Sequence, residues 1–275
     1  MSKGRIIKQI SNLYTVLVDD KIYDCRSCGK FRLDKMSPVV GDIVNVDLTR
    51  KYIIDILPRK NYILRPTISN IDLCLIVTAL KEPDLSLNLL DKQLCNLFYN
   101  KIKPVIVLTK IDLLTKNELK EYNNIFKYYE KIGINVFYNT ELEKLEKYLS
   151  GKVVALTGQS GAGKSTLINK IGNINLKTAE ISKALGRGKH TTRHTEIHQI
   201  KDFWLADTPG FSSLDITNIK KQELKNTFIE FNNYQCKFKD CIHYKEIDCG
   251  VKKEVGKEIL LSRYENYCKY LEELK

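Results

Sequence analysis

The sequence predicts an α/β protein with an all-β module in front of the α/β part and a small helix-prone segment behind it. Three observations carry that expectation. Apolar strand-like runs alternate with amphipathic helix-like runs across residues 65–215, the pattern of a parallel sheet covered by helices. Residues 1–64 instead show short period-2 runs separated by turn signals such as Val-Asp-Asp and Val-Gly-Asp, which suits a small barrel or sandwich. Residues 216–275 are polar and helix-prone, and a Cys/His-rich knot interrupts them.

In chain order, the β-like runs of the first module are YTVLV, KIYDC, DIVNVDL and YIIDIL, and ILRPTISN reads as its boundary. The α/β part then supplies the strands IDLCLIV, PVIVLT, INVFY, KVVALTG and FWLAD. Between them come the helices LNLLDKQLCNLFYN, ELKEYNNIFKYYEKI, ELEKLEKYL and KSTLINKI. The chain closes with EILLSRYENYCKYLEELK, whose apolar spacing predicts a helix.

Composition narrows the class. At 275 residues the chain can bury a sizeable core. Lys and Arg number 45 against 33 acids, a net charge of +12, which suits nucleic acid, an anionic membrane or simply a soluble Lys-rich surface. The excess is densest in residues 1–64, with 12 Lys/Arg against 7 Asp/Glu. No stretch approaches the ~20 apolar residues of a membrane span, and MSKGRIIKQ lacks the apolar core of a signal peptide. A cytoplasmic protein without membrane contact is therefore expected, its eight cysteines reduced or metal-bound.

Gly158-Gln159-Ser160-Gly161-Ala162-Gly163-Lys164-Ser165 fits the phosphate-loop pattern G-x-x-x-x-G-K-[ST] in full, after the strand KVVALT and before the helix TLINKI. The glycines let backbone N–H groups turn inward around a phosphate at the positive end of a helix. Lys164 would neutralise β- and γ-phosphate oxygens, and the Ser165 hydroxyl would ligate Mg²⁺. Asp207-Thr-Pro-Gly210 ends the strand FWLA, where a second acidic motif belongs: Asp207 would hold Mg²⁺ through water and the Gly210 amide would meet the γ-phosphate. Between them lies GRGKHTTRH (186–194), a basic loop in which Thr191 or Thr192 could complete the Mg²⁺ shell.

Thr109-Lys110-Ile111-Asp112 nearly matches Asn-Lys-x-Asp, the tetrapeptide that reads guanine. The Asp112 carboxylate can accept hydrogen bonds from guanine N1–H and its exocyclic amine together; adenine offers no such pair. Lys110 would pack its stem along the base. The tetrapeptide precedes the phosphate loop instead of following it, so a guanine-nucleotide fold with rearranged chain order is predicted.

Cys236-x4-Cys241-x-His243-x5-Cys249 offers three thiolates and an imidazole within one short loop. That is a closed tetrahedral donor set for one structural Zn²⁺, with no open position for catalysis. Cys25-Arg-Ser-Cys28 has metal-like spacing but no second ligand pair nearby and reads as a strand-turn with incidental thiols. Cys74, Cys95 and Cys268 fall in apolar or amphipathic runs and read as packing residues.

As an ordered set, VVGDIV, ILRPTISNIDLCLIV, GQSGAGKSTLIN, GKHTTRHTE, LADTPGF, CIHYKEIDCGVKKEV and SRYENY resemble the ribosome small-subunit-dependent GTPase A family over essentially the whole chain. The resemblance implies an N-terminal OB-fold β-barrel (1–64) that binds RNA, a circularly permuted P-loop GTPase domain (65–215) and a small C-terminal α-helical zinc-binding domain (216–275). It implies a monomer that binds the small ribosomal subunit and its rRNA, assists late maturation, and hydrolyses GTP to GDP with stimulation by the subunit. It places the nucleotide along Thr109–Asp112 and Gly158–Thr166, and it implicates His190 of the GxxHTT phrase in hydrolysis. The last point agrees with the sequence itself. Phe211 follows Asp-Thr-Pro-Gly, so the Gln that orients water in Ras-like enzymes is missing from its usual neighbourhood. Thr109 departs from the family's usual Asn. A hydroxyl gives one hydrogen bond where the amide bridges two, which points to weaker guanine binding.

Overall fold

The structure, a computed structural model, describes residues 1–29, 31, 36–64, 67–172, 195–207 and 216–274. Contacts group them into two compact units that do not follow chain order. The first comprises residues 1–75, 140–157 and the described part of 164–212; the second comprises 76–139, 158–163 and the described part of 213–275.

The first unit opens with a closed barrel. Strands β1 (Ser2–Ile10), β2 (Leu13–Val18) and β3 (Lys21–Ser27) form an antiparallel meander. β5 (Tyr52–Ile56) pairs with β3 in parallel and with β4 (Ile43–Asp47) antiparallel, and β4 returns to β1, which closes the ring without a free edge. The period-2 pattern sends Ile6, Tyr14, Val16, Val18, Cys25, Val44, Val46 and Ile53 inside. This is the OB-like five-stranded barrel that the alternating runs called for. β1 itself carries no clean alternation, because its register shifts between Ile6 and Lys8.

A buried acid anchors the chain leaving the barrel. Asp42 accepts from Arg59 Nε at 2.7 Å, Ser69 Oγ at 2.6 Å and the Val39 amide at 2.8 Å. Gly41 beside it has φ +92°, and a Cβ there would lie 2.0 Å from the Ser69 carbonyl oxygen. The exit segment includes the hairpin of β6 (Tyr62–Leu64) and β7 (Thr67–Ser69).

Also in this unit, β11 (Val153–Thr157) and β13 (Phe203–Asp207) pair in parallel, and β12 (Glu196–Ile200) is antiparallel to β13. β12 meets β1 at Lys8 and Glu196, whose side chains form an ion pair at 3.0 Å. Strand β8 (Leu73–Ala79) runs from the first unit into the second. There β8, β9 (Lys103–Thr109) and β10 (Asn135–Tyr138) stand in the order β10-β9-β8, β9 and β10 parallel. β8 and β9 are buried almost throughout, as strands covered on both faces must be, which is why they read as continuous apolar runs.

The helices follow the amphipathic runs: α1 (Leu87–Tyr99), α2 (Lys116–Lys131), α3 (Leu142–Leu149) and α4 (Lys164–Gly172). α2 begins with a reciprocal cap between Thr115 and Glu118, and Glu118 also takes Lys81 Nζ at 3.1 Å. These bonds hold the Glu118 carboxyl down to about 2, the backbone amide of Thr115 contributing most. In the C-terminal part, the helix-prone reading resolves mostly into turns and 3₁₀ segments at Leu224–Thr227 and Ile229–Asn233, with α5 (Gly250–Glu254) and α6 (Leu261–Glu273) after them. They surround an aromatic cluster in which Phe228 and Phe231 stack and Tyr267 meets both edge to face, and Cys95 of α1 belongs to the same core.

Candidate functional site

The glycine pattern of residues 158–163 is a backbone requirement. Gly158 has φ +133°, and a Cβ would stand 2.1 Å from the Val77 carbonyl oxygen. Gly163 has φ +89°. The loop therefore lies against the end of β8 and turns directly into α4, whose first residue is Lys164, 8% exposed. Ser165 and Thr166 follow in the same helical turn. Nine helical residues give α4 a positive dipole end at Lys164.

The tetrapeptide at 109–112 meets this loop directly. Thr109, buried at the end of β9, donates its hydroxyl proton to the Ala162 carbonyl at 2.7 Å across 53 residues of sequence. Its one donor is thereby committed to the phosphate loop. Lys110 takes a left-handed conformation (φ 58°) and its Nζ donates to the Glu82 carbonyl. Ile111 and Asp112 sit in a single 3₁₀ turn, with Asp112 exposed. Pro83 lies beside Gly161, so residues 80–86 brace both motifs. Sequence reasoning did not assign that segment a role. The Ser86 N-cap, bonded to Leu89 N at 3.2 Å, is legible as a helix start, but its closeness to the loop is not.

The backbone of Asp207 ends β13, as expected. The side chain of Asp207 and the expected contributions of His190, Thr191, Thr192 and Gly210 lie outside the described residues.

The Cys/His knot is assembled. The donor atoms of Cys236, Cys241, His243 and Cys249 all lie within 4.8 Å of one another. His243 Nδ1 is 3.4 Å from each of the three sulfurs, and Sγ of Cys236 is 3.7 Å from Sγ of Cys249. Zinc bonds of about 2.3 Å to sulfur and 2.0 Å to nitrogen, arranged tetrahedrally, require N–S and S–S edges of about 3.5 and 3.8 Å, which these four separations match. Burial, then the charge of Lys225, keeps His243 below its ordinary value and hence neutral, as a ligand must be. Burial pushes the Cys241 thiol up to about 12. On Cys236 burial also pushes upward, but the amides of Val251 and Gly250 and the neighbouring thiols outweigh it and the net direction is down. Glu246 shapes the intervening loop, accepting from the Ile242 and Tyr244 amides at 2.7 and 2.8 Å. Cys25 is buried on β3 and joins no comparable donor group among the described residues; Cys74 and Cys95 are fully buried packing residues.

A loop of the phosphate-loop pattern bonded to a Thr-Lys-Ile-Asp tetrapeptide that precedes it in the chain is the arrangement of a circularly permuted GTPase. The comparisons sharpen the class. The profile of the RsgA GTPase family matches residues 56–217, and that of the RsgA N-terminal domain matches residues 3–52. The small ribosomal subunit biogenesis GTPase RsgA of Enterococcus faecalis is 44% identical over 99% of this chain and 95% of its own length. RsgA 1 of Listeria monocytogenes is 44% identical over 100% and 98%. The crystal structure of YjeQ from Thermotoga maritima superposes with a TM-score of 0.86 at 34% identity, covering 99% of this chain and 98% of that one. YloQ, described as a circularly permuted GTPase, gives 0.83 at 33%, covering 99% and 94%. The chain belongs to the RsgA GTPase family and is a GTP hydrolase. Among the described residues no helix is long and apolar enough to cross a membrane.

Proposed function

We propose that this GTPase binds the small ribosomal subunit and its rRNA in the cytoplasm, assists late maturation as a monomer, and hydrolyses GTP faster on the subunit than alone. The observation that carries the nucleotide half is the Thr109–Ala162 bond, which ties base reading to phosphate reading. The names of the relatives support the ribosomal half, and the excess of basic residues in the first 64 suits rRNA contact. We assign RNA binding to the barrel at 1–64, catalysis to 65–215 and a structural zinc ion to 216–275.

In this reading the Gly158–Thr166 backbone and Lys164 hold the β- and γ-phosphates, and Asp112 accepts from guanine. Ser165, Asp207 and one of Thr191 and Thr192 supply the hard oxygen donors that would hold Mg²⁺, and Mg²⁺ when bound neutralises phosphate charge. The Gly210 amide meets the γ-phosphate and His190 orients the attacking water. Cys236, Cys241, His243 and Cys249 hold zinc, which closes the polar loop.

GTP turnover measured with and without purified small subunits tests the reading. Stimulation of tenfold or more is expected. Equal rates would leave a nucleotide-bound assembly module whose turnover is incidental. The base assignment has its own test in Asp112→Asn. An amide accepts at one atom and donates at the other, so it mismatches guanine's two donors and matches xanthine's donor and acceptor. GTP affinity is expected to fall by about 30-fold or more while XTP affinity rises, read by competition against a fluorescent nucleotide. Unchanged preference for GTP would remove Asp112 from base recognition.

A further inference from the structure

α1 presents two nearly opposite faces to two different sites. Ser86, Leu89, Leu90 and Gln93 line a small cavity with Val77, Thr78, Gly158 and Gln159 of the phosphate loop and the strand behind it. At about 100° per residue, positions 88, 91, 92 and 95 point the other way. That second face is stitched to the part of the chain that carries the Cys/His knot. Asn88 donates to Asn266 Oδ1 at 2.9 Å, Lys92 pairs with Glu273 at 2.8 Å, and Cys95 is buried in the knot's own core.

At its centre is a fully buried charge cluster. Asp91 accepts from Arg263 Nη1 at 2.5 Å, Asn266 Nδ2 at 2.7 Å and the Tyr129 hydroxyl at 2.8 Å. Arg263 also grips Glu230, which takes the Tyr128 hydroxyl at 3.1 Å. From the same helix, α6, the Tyr264 and Tyr267 hydroxyls donate to the carbonyls of His243 and Ile242, so the backbone of a metal ligand and Arg263 share one rigid element.

We infer that α1 couples the Cys/His knot to the phosphate loop through Asp91, Arg263 and Glu230, so that metal at the knot and guanine nucleotide at the loop strengthen each other's binding. The inference rests on the guanine-nucleotide reading of the loop. Ordering the knot fixes α6; Arg263 fixes α1 through Asp91; and α1 walls the loop from Ser86 to Gln93. A charge cluster suits this task because it is directional. A buried guanidinium bonded to two carboxylates tolerates little sliding between helices, whereas an apolar contact of equal area tolerates more.

The test uses the metal-loaded full chain and a fluorescent GDP analogue. Binding of the analogue by the unaltered protein reports on the nucleotide reading itself; the coupling is the change that metal removal causes. Stripping zinc with a chelator is expected to speed release of the analogue at least fivefold, the low end of usual coupling between sites. Saturating GDP should slow chelator extraction of zinc, since the coupling is reciprocal in affinity. In Asp91→Leu/Glu230→Leu/Arg263→Met, which removes all three charges together, both effects should vanish while the analogue still binds. Asp91→Asn keeps the shape and should reduce the coupling, and it decides the matter alone should the triple variant not fold. Release rates indifferent to zinc in the unaltered protein, or a zinc effect of the same size in every variant, would overturn the inference.

Discussion

Replacing Lys164 with methionine is expected to lower kcat for GTP by about 10²–10³ or more, because in the proposed function its side chain supplies the fixed positive charge where phosphate charge develops. Lys164 is the first residue of α4 and is 8% exposed, so its stem is packed and its position set by the helix. Methionine preserves that stem and removes only the ammonium, which separates loss of charge from loss of packing. Single-turnover hydrolysis and GDP affinity, measured together, check it. GDP affinity should fall less than the rate, since the β-phosphate retains the loop amides while the transferring group loses its cation. A rate within about threefold of the parent would place Lys164 outside the phosphate site.

The largest loss of stability is expected from Arg263→Met. Arg263 is fully buried between Asp91 and Glu230, its guanidinium 4.6 Å over the Phe228 ring. Removing the cation alone leaves two buried carboxylates unpaired, which costs about 3–5 kcal/mol, a large part of the stability of most domains. Thermal unfolding followed by aromatic fluorescence should move down on the order of 10 °C. The pH dependence has a definite sign. Burial raises the Asp91 carboxyl even with Arg263 beside it, and without Arg263 it must rise further. A carboxyl raised in the folded state destabilises the fold as pH climbs above its unfolded value, so the deficit should narrow as pH is lowered from 7 toward 5. A deficit constant over that range would mean that lost packing, not stranded charge, explains the change. The triple replacement should recover much of the loss, because its interior holds no unpaired charge.

The barrel and the parallel strands were legible because their periodicity is local: alternating runs for β2 to β5, and unbroken apolar runs for β8, β9 and β11. β1 and the β6–β7 hairpin were not, since β1 shifts register within its length and β6 and β7, at three residues each, are too short to show a period. The same division runs through the site. The phosphate-loop pattern, Asp-Thr-Pro-Gly, Thr-Lys-Ile-Asp and the four Cys/His donors are each short motifs of residues close in the chain, so their spacing is written into the sequence.

Their mutual placement is not. Thr109 read as a weakened guanine contact; what the fold adds is that its hydroxyl donates to the Ala162 carbonyl 53 residues away. Arg263 carries no role in any sequence motif read above; it is interior because α6 lies on α1 and Asp91 stands 172 residues upstream. By itself the sequence determined the class, a circularly permuted GTPase, and the four side chains of a Cys/His donor set. Only the tertiary structure decided how those sites touch, because a buried hydrogen bond or ion pair between distant residues leaves no periodic trace and is defined only once packing has removed the water.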